Sequence, residues 1–236
     1  MLILAFDTAT DMCTVALEKD EVLLKEINLY AERTHMEKLI PLIDSLLGEI
    51  NFKIKDVDGI VVGLGPGSFT GMRIGVSTAR GLSQALKKPV VGVSTLDCLA
   101  YPFINSNSLI LTVLDAKRKE IYATLYEASE DKLNRLTDYQ AMAPESLVEN
   151  LKNEKRGLII VGDGLKVYGE LFKQSLKGAL FVEEAFWYPR AANLFVPGRL
   201  KFSLESGDFD ELKPIYARLS QAEEMWLNKK GKIGEG

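Results

Sequence analysis

Met1-Leu-Ile-Leu-Ala-Phe-Asp7 is an apolar run closed by an acid, and Ser108-Leu-Ile-Leu-Thr-Val-Leu-Asp115 repeats it in the second half of the chain. Each reads as a buried strand, because an unbroken aliphatic run has no face to give to water. The residues after each run match as well. Thr8-Ala-Thr-Asp11 and Ala116-Lys-Arg-Lys-Glu120 are polar turns, and Met12–Glu18 and Ile121–Tyr126 alternate as half-buried strands do. Val22–Leu29 adds a third strand. Asp58-Gly-Ile-Val-Val-Gly-Leu-Gly65 resembles Arg156-Gly-Leu-Ile-Ile-Val-Gly-Asp-Gly164, and helical patterns at Thr34–Glu49 and Pro144–Asn153 precede these strands. The order β-β-β-α-β-α, met twice, predicts an α/β protein of two duplicated lobes. Punctuation at Pro102–Asn107 divides it into 1–103 and 104–215, with a C-terminal segment 216–236.

Composition sets the limits. Of 236 residues 47% are apolar and 26% charged, which suits a chain that buries real cores. The net charge of −4 supplies no bulk attraction for nucleic-acid phosphates. Lys117-Arg-Lys119 and Asn228-Lys-Lys-Gly-Lys232 are local basic spots, read as a solvated turn and a chain terminus. Two cysteines, Cys13 and Cys98, exclude a disulfide framework and suit a reducing, cytoplasmic setting. The N-terminal apolar run is too short for a signal segment, and no stretch approaches the ~20 apolar residues of a membrane span.

Two helices carry a surface argument. The first opens with Thr34-His-Met-Glu37, which has the spacing of a capping box. Met36, Leu39, Ile40, Ile43, Leu46 and Leu47 then form a narrow apolar seam, interrupted by Pro41, which should kink the helix. The second follows the turn Gly63-Leu-Gly-Pro-Gly-Ser-Phe-Thr-Gly71, capped by Ser68 or Thr70. Met72, Gly75, Val76 and Ala79 share one face, and Arg73 and Arg80 lie opposite. Glycine in a helix interior costs about 1 kcal/mol against alanine, so Gly75 and Gly81 suggest that another backbone comes close. The seam and this face either pack on their own sheet or form half of a helix bundle across a subunit boundary.

Candidate chemistry is sparse. The turn Gly63–Gly71 could cradle a phosphate at a helix N-terminus, but it lacks the lysine of a P-loop and the Gly-x-Gly-x-x-Gly spacing, and Pro66 removes an amide. The other reading is a tight strand-to-helix turn. Asp7 and Asp115 end the central strands, where open α/β folds place ligands; they read either as strand-end turn acids or, with Gly162-Asp163-Gly164, as a vestigial nucleotide cleft where carboxylates could hold Mg²⁺ through water. A small-molecule kinase would use such a cleft. His35 is the sole histidine, and the position four later is Leu39, so a His-x-x-x-His metal pair is absent. At the start of a helix His35 is expected to be solvated or capping. Ser68, Ser94 and Cys98 have no evident histidine partner for nucleophilic catalysis.

Leu4-Ala-Phe-Asp-Thr-Ala-Thr10, Gly65-Pro-Gly-Ser-Phe-Thr-Gly-Met-Arg-Ile-Gly75, Ala79-Arg-Gly-Leu82, Gly92-Val-Ser-Thr-Leu96, Asp115-Ala-Lys-Arg-Lys-Glu-Ile-Tyr122 and Lys213-Pro-Ile-Tyr-Ala-Arg-Leu-Ser-Gln-Ala-Glu-Glu224 together resemble the TsaB (YeaZ) family over nearly the whole chain. The resemblance implies the actin-like, sugar-kinase-like ATPase fold of the ribonuclease H-like type. It implies a non-catalytic subunit needed for threonylcarbamoylation of adenosine 37 (t6A) in tRNAs that read codons beginning with A. The partners implied are TsaD, whose matching helix carries the metal-binding histidine pair, then TsaE and TsaC. The interface implied with TsaD is Met36, Leu39, Ile40, Ile43, Leu46, Leu47, Met72, Arg73, Gly75, Val76, Ala79 and Arg80, on the two helices above. Alone, the same surface implies a homodimer. Contact with tRNA would be indirect, and no cofactor is implied beyond ATP or ADP held weakly or between subunits.

Overall fold

The computed structural model describes residues 1–130, 132–204 and 207–218. The first lobe runs β1 (Leu2–Asp7), β2 (Met12–Lys19), β3 (Val22–Tyr30), α1 (His35–Glu49), β4 (Gly59–Gly63), α2 (Phe69–Leu86), β5 (Val90–Val93) and α3 (Thr95–Ala100). The second runs β6 (Leu109–Lys117), β7 (Glu120–Ser129), β8 (Lys132–Arg135), β9 (Gln140–Met142), α4 (Pro144–Leu151), β10 (Leu158–Val161), α5 (Gly164–Ser175) and β11 (Leu180–Phe181), and α6 (Phe195–Leu204) follows.

The duplication is visible in the strand order. The first sheet is β3-β2-β1-β4-β5 and the second is β8-β7-β6-β10-β11. In both, the central strand pairs antiparallel with the strand after it and parallel with the strand after the helix. The third strand of the second lobe is split, so β8 and β9 pair with different parts of β7.

Alternation along the central strands explains why they are apolar throughout. Leu2, Leu4 and Phe6 of β1 pack with Ile60 and Val62 of β4 against Leu39, Ile43, Val76 and Ala79 of the helices. Ile3 and Ala5, with Val61 of β4, point the other way, toward Ala191, Leu194 and Phe195. In the second lobe Leu109, Leu111 and Val113 meet Leu147 of α4 and Phe172 of α5. Ile110 and Leu114 meet Leu96, Leu99 and Ala100 of α3. Each sheet is therefore covered on both faces.

These covers correct the expected boundaries. Residues 95–100, assigned to the first lobe, supply the inner layer of the second sheet. Residues 191–204 and 207–212, assigned to the second lobe, return to the first. Ala191 N–H donates to Thr14 Oγ1 at 2.9 Å, Arg190 pairs with the buried side chain of Glu26, and Arg199 pairs with the buried Glu18. Leu212 ends in the first core. Chain order alone puts both segments on the wrong side, because each crosses between the lobes after its own sheet is complete. Asp97 of α3 adds a fastening between the lobes, accepting from Tyr126 Oη at 2.6 Å and from Tyr139 Oη at 2.9 Å. Burial pushes the Asp97 carboxyl up despite these bonds. Among the described residues no helix is long and apolar enough to cross a membrane. Residues 219–236, including Asn228–Lys232, lie outside the described residues.

Candidate functional site

A cleft of about 930 Å³ opens between the lobes. Its walls are the β1–β2 turn at Ala9–Asp11, His35, the turn into α2 and its first residues at Gly67–Ile74, the end of β6 with the turn after it at Leu114–Arg118, Asp163, and the segment Ile215–Arg218.

The glycine-rich turn forms its wall by close packing. A Cβ on Gly67 would stand 2.1 Å from Ala9 O, and one on Gly71 would stand 2.0 Å from Thr8 O. Ser68 N–H donates to Ala9 O at 2.7 Å, Thr8 Oγ1 donates to Gly71 O at 2.7 Å, and Ser68 Oγ caps α2 by accepting from Gly71 N–H. The Gly65–Pro66 peptide is cis, and Gly65 has a φ of 86°. The Ser68 and Gly71 amides are thus engaged inside the wall, and both glycines are pressed on the neighbouring turn, which favours the packing turn over a cradle. Gly75 also has its close neighbour, Thr8 Oγ1 at 2.6 Å from a built Cβ, whereas Gly81 faces open space.

The cleft's expected acids separate. Asp7 is fully buried beneath the turn and does not line the cleft. Its Oδ1 accepts from Ala9 N–H at 2.6 Å and its Oδ2 from Thr95 Oγ1 at 2.7 Å. Desolvation raises its carboxyl above the usual carboxylate range. Asp7 is therefore withdrawn from the expected nucleotide set, since no ion can reach it without displacing those bonds. Asp115 and Asp163 do line the cleft. Asp115 accepts from the backbone N–H and Nζ of Lys117 at 2.8 and 2.9 Å, and Asp163 accepts from Asp115 N–H at 2.9 Å. Burial, with the charges of Asp115 and Asp11 nearby, pushes Asp163 up to about 7. Gly162, at φ 125°, lets the Gly162–Gly164 turn approach Val113 O to 2.0 Å from a built Cβ. Among the described residues no three His, Cys, Asp or Glu side chains are grouped to hold a metal ion.

His35 is buried, not solvated, and its Nε2 donates to Thr10 O at 2.8 Å. Thr34 makes no capping bond; its hydroxyl turns back to Ala31 O at 3.2 Å, so the capping box does not form. Pro41 sits inside α1 without ending it.

The expected interface splits in two. Leu39, Ile43, Leu46 and Leu47 of α1, and Met72, Gly75, Val76 and Ala79 of α2, are buried in the first lobe's own structure. They are corrected from surface to interior, because the apolar seam is what holds both helices on the sheet. Met36 and Ile40 remain at the surface, 76% and 51% exposed. Arg73 and Arg80 lie on the outer side and are engaged within the chain. Arg73 Nε donates to Tyr216 Oη at 3.2 Å, and Arg80 donates to Phe209 O at 2.9 Å and Asp210 O at 3.2 Å. Sequence reasoning missed Asp11, Arg33 and the segment Ile215–Arg218 as cleft residues. They meet only through tertiary return, and the sole sequence signal was the C-terminal motif.

Comparison with known proteins accords with this architecture. The family model of TsaD, tRNA N6-adenosine threonylcarbamoyltransferase, matches residues 29–226. The TsaB protein of Bacillus subtilis (strain 168), called a tRNA threonylcarbamoyladenosine biosynthesis protein, is 31% identical over 228 residues, covering 96% of this chain and 98% of that one. Its counterpart in Escherichia coli (strain K12) is 30% identical over 240 residues, covering 98% and 100%. The solved structure of YeaZ from Pseudomonas aeruginosa is 26% identical with a TM-score of 0.79, covering 91% and 99%. Component A of (R)-2-hydroxyglutaryl-CoA dehydratase from Acidaminococcus fermentans, 10% identical with a TM-score of 0.52 over 86% of this chain and 99% of that one, shares the fold alone. With its actin-like, two-lobed architecture, the chain belongs to the TsaB (YeaZ) family.

Proposed function

We propose that this chain acts in tRNA threonylcarbamoyladenosine biosynthesis as a non-catalytic subunit that heterodimerises with a TsaD-type transferase. The observation that carries the reading is the sealed strand end. The fold is that of a transferase family, yet Asp7 has both oxygens bonded internally and the single histidine is held to Thr10 O. Asp7 ends the central strand, where open α/β folds place ligands, and His35 stands where the resemblance places one of the two metal-binding histidines of TsaD; here both side chains are engaged within the chain. The outer side of α1 and α2 supports the partner role, since Met36 and Ile40 stand in solvent and Gly81 leaves room for an approaching backbone. TsaE and TsaC complete the proposed machinery, tRNA is met through the complex, and the chain works in the cytoplasm. Without TsaD the same side pairs with a second copy.

Co-purification with TsaD, followed by a tRNA modification assay with and without this chain, tests the proposal. Ile40→Glu and Gly81→Arg, both on the solvent side, should abolish the complex and the modification while leaving the melting temperature unchanged. Normal complex formation by both variants would sink the reading. One observation favours a second reading, an ATP-dependent small-molecule kinase: Asp115 and Asp163 line an open cleft, and Asp163 is poised near neutrality. Calorimetry with ATP and Mg²⁺ separates the two, because a kinase requires binding and turnover by the isolated chain.

A further inference from the structure

Lys213–Arg218 is fastened at both ends, and to different lobes. Ile215 N–H donates to Leu64 O at 2.8 Å, just beyond β4, and the preceding Leu212 lies in the first core. Ala217 packs with the cluster between α3 and the second sheet, and Arg218 Nη1 donates to Glu120 Oε2 at 2.7 Å, at the first residue of β7. Between these fastenings Tyr216 packs on Phe69, with ring centroids 4.9 Å apart and planes at 33°. The Arg73 guanidinium lies 3.9 Å over the Phe69 ring and its Nε donates to Tyr216 Oη. Phe69 and Arg73 belong to the first turns of α2. Ile215–Arg218 also forms one wall of the cleft.

We propose that Lys213–Arg218 is an interlobe latch that holds the two lobes at one separation, closes one side of the cleft, and ties that separation to the start of α2 through the Tyr216–Phe69–Arg73 stack. The segment is short, so even fully extended it spans only about 20 Å. That limit caps how far the lobes can part with both ends fastened, so a wide opening of the cleft must break one of its ends. The Arg218 and Glu120 side chains are 22% and 37% exposed, which shields their charge-assisted bond more than an open surface pair. The device therefore has two arrangements, fastened and released, rather than a continuum. Release widens the cleft and frees the aromatic stack at the head of α2. Its coupling to a partner docked on α2 rests on the partner-subunit reading; the latch itself does not.

The test uses the full chain alone. Spin labels go on Lys55→Cys in the first lobe and Lys166→Cys in the second, both exposed positions, while the native Cys13 and Cys98 are buried. Dilution with unlabelled protein leaves only intramolecular distances. Pulsed dipolar spectroscopy should show one narrow distance in the native background. Arg218→Glu and Tyr216→Ala should each broaden it toward longer values, and the charge-swapped R218E/E120R chain should restore it. Circular dichroism confirms that each variant folds. If Arg218→Glu does not fold, the milder Glu120→Gln takes its place and should broaden the distribution. A narrow, unshifted distance in folded single variants, or broadening that the swap leaves uncorrected, overturns the latch. Because TsaD is absent from this measurement, the result stands apart from the success or failure of the partner-subunit reading.

Discussion

At the end of β1, Asp7 has no exposed surface, and a glycine-rich turn lies across it. At the end of β6, Asp115 is half-buried and looks into the cleft with Asp163 beside it. The two lobes share a strand order, and both press a glycine against the terminus of the central strand, Gly63 at Asp7 and Gly162 at Val113. The difference lies in what the glycine meets. In the first lobe it meets the acid's own side chain and closes the strand end. In the second it meets a backbone carbonyl two residues earlier and leaves the acids open. A duplicated fold has thus kept its scaffold twice and its accessible polar site once. The closed copy is the one whose helices present Met36 and Ile40 to solvent.

Four changes break or sharpen this contrast. The largest effect is expected from Val76→Asp on α2, which places a charge in the first core and should unfold the lobe at a cost of about 4 kcal/mol or more. Val167→Asp on the matching α5 lies 57% exposed and should change stability by less than about 0.5 kcal/mol. Thermal melts followed by circular dichroism measure both, and equal losses would break the comparison.

Next come the two strand-end glycines. Gly162→Ala should cost about 3 kcal/mol, because its φ of 125° and the Val113 carbonyl both exclude a side chain. Gly63→Ala collides instead with the Asp7 carboxylate, 1.9 Å from a built Cβ. Adding Asp7→Ala should therefore recover part of the Gly63→Ala loss and none of the Gly162→Ala loss in denaturant titrations.

The third change concerns the open acid. The Asp163 carboxyl sits at about 7 against an ordinary value of 3.8. Its folded value is raised, so its contribution to stability is complete below about pH 4 and is lost as pH rises through about 7. Asp163→Asn keeps the acceptor for Asp115 N–H and removes the penalty. It should be more stable than the native chain by about 1–2 kcal/mol at pH 8, with the gap closing near pH 4. A gap that widens on acidification would reverse the assignment. The smallest expected effect is Gly81→Ala, a gain of about 0.5–1 kcal/mol at an open helical site. A loss in the isolated chain would show a neighbour already present there.

Much of the scaffold was legible because acid-terminated aliphatic runs and their alternating successors leave a signal of period two. The site was less so. An apolar seam at helical spacing reads identically whether it meets its own sheet or a partner, and Leu39, Ile43 and Val76 turned out to meet the sheet. Burial of His35 depends on Thr10, twenty-five residues away in sequence, and no local pattern carries that distance. Gly75 and Gly81 look alike in sequence, yet one touches Thr8 and the other touches nothing. The wall at Ile215–Arg218 required the chain to come back across both lobes, which spacing rules do not encode.

The return of Ala191–Phe195 to the first sheet has a consequence for how the molecule is made. Ile3, Ala5, Val61 and Val91 of the first sheet receive their cover from Ala191, Leu194 and Phe195. On the ribosome the first lobe therefore emerges early with one face bare, and it waits through synthesis of the second lobe before that face is closed. The lobe made first is the lobe finished last, and its exposed aliphatic sheet face during that interval is where a chaperone would find it.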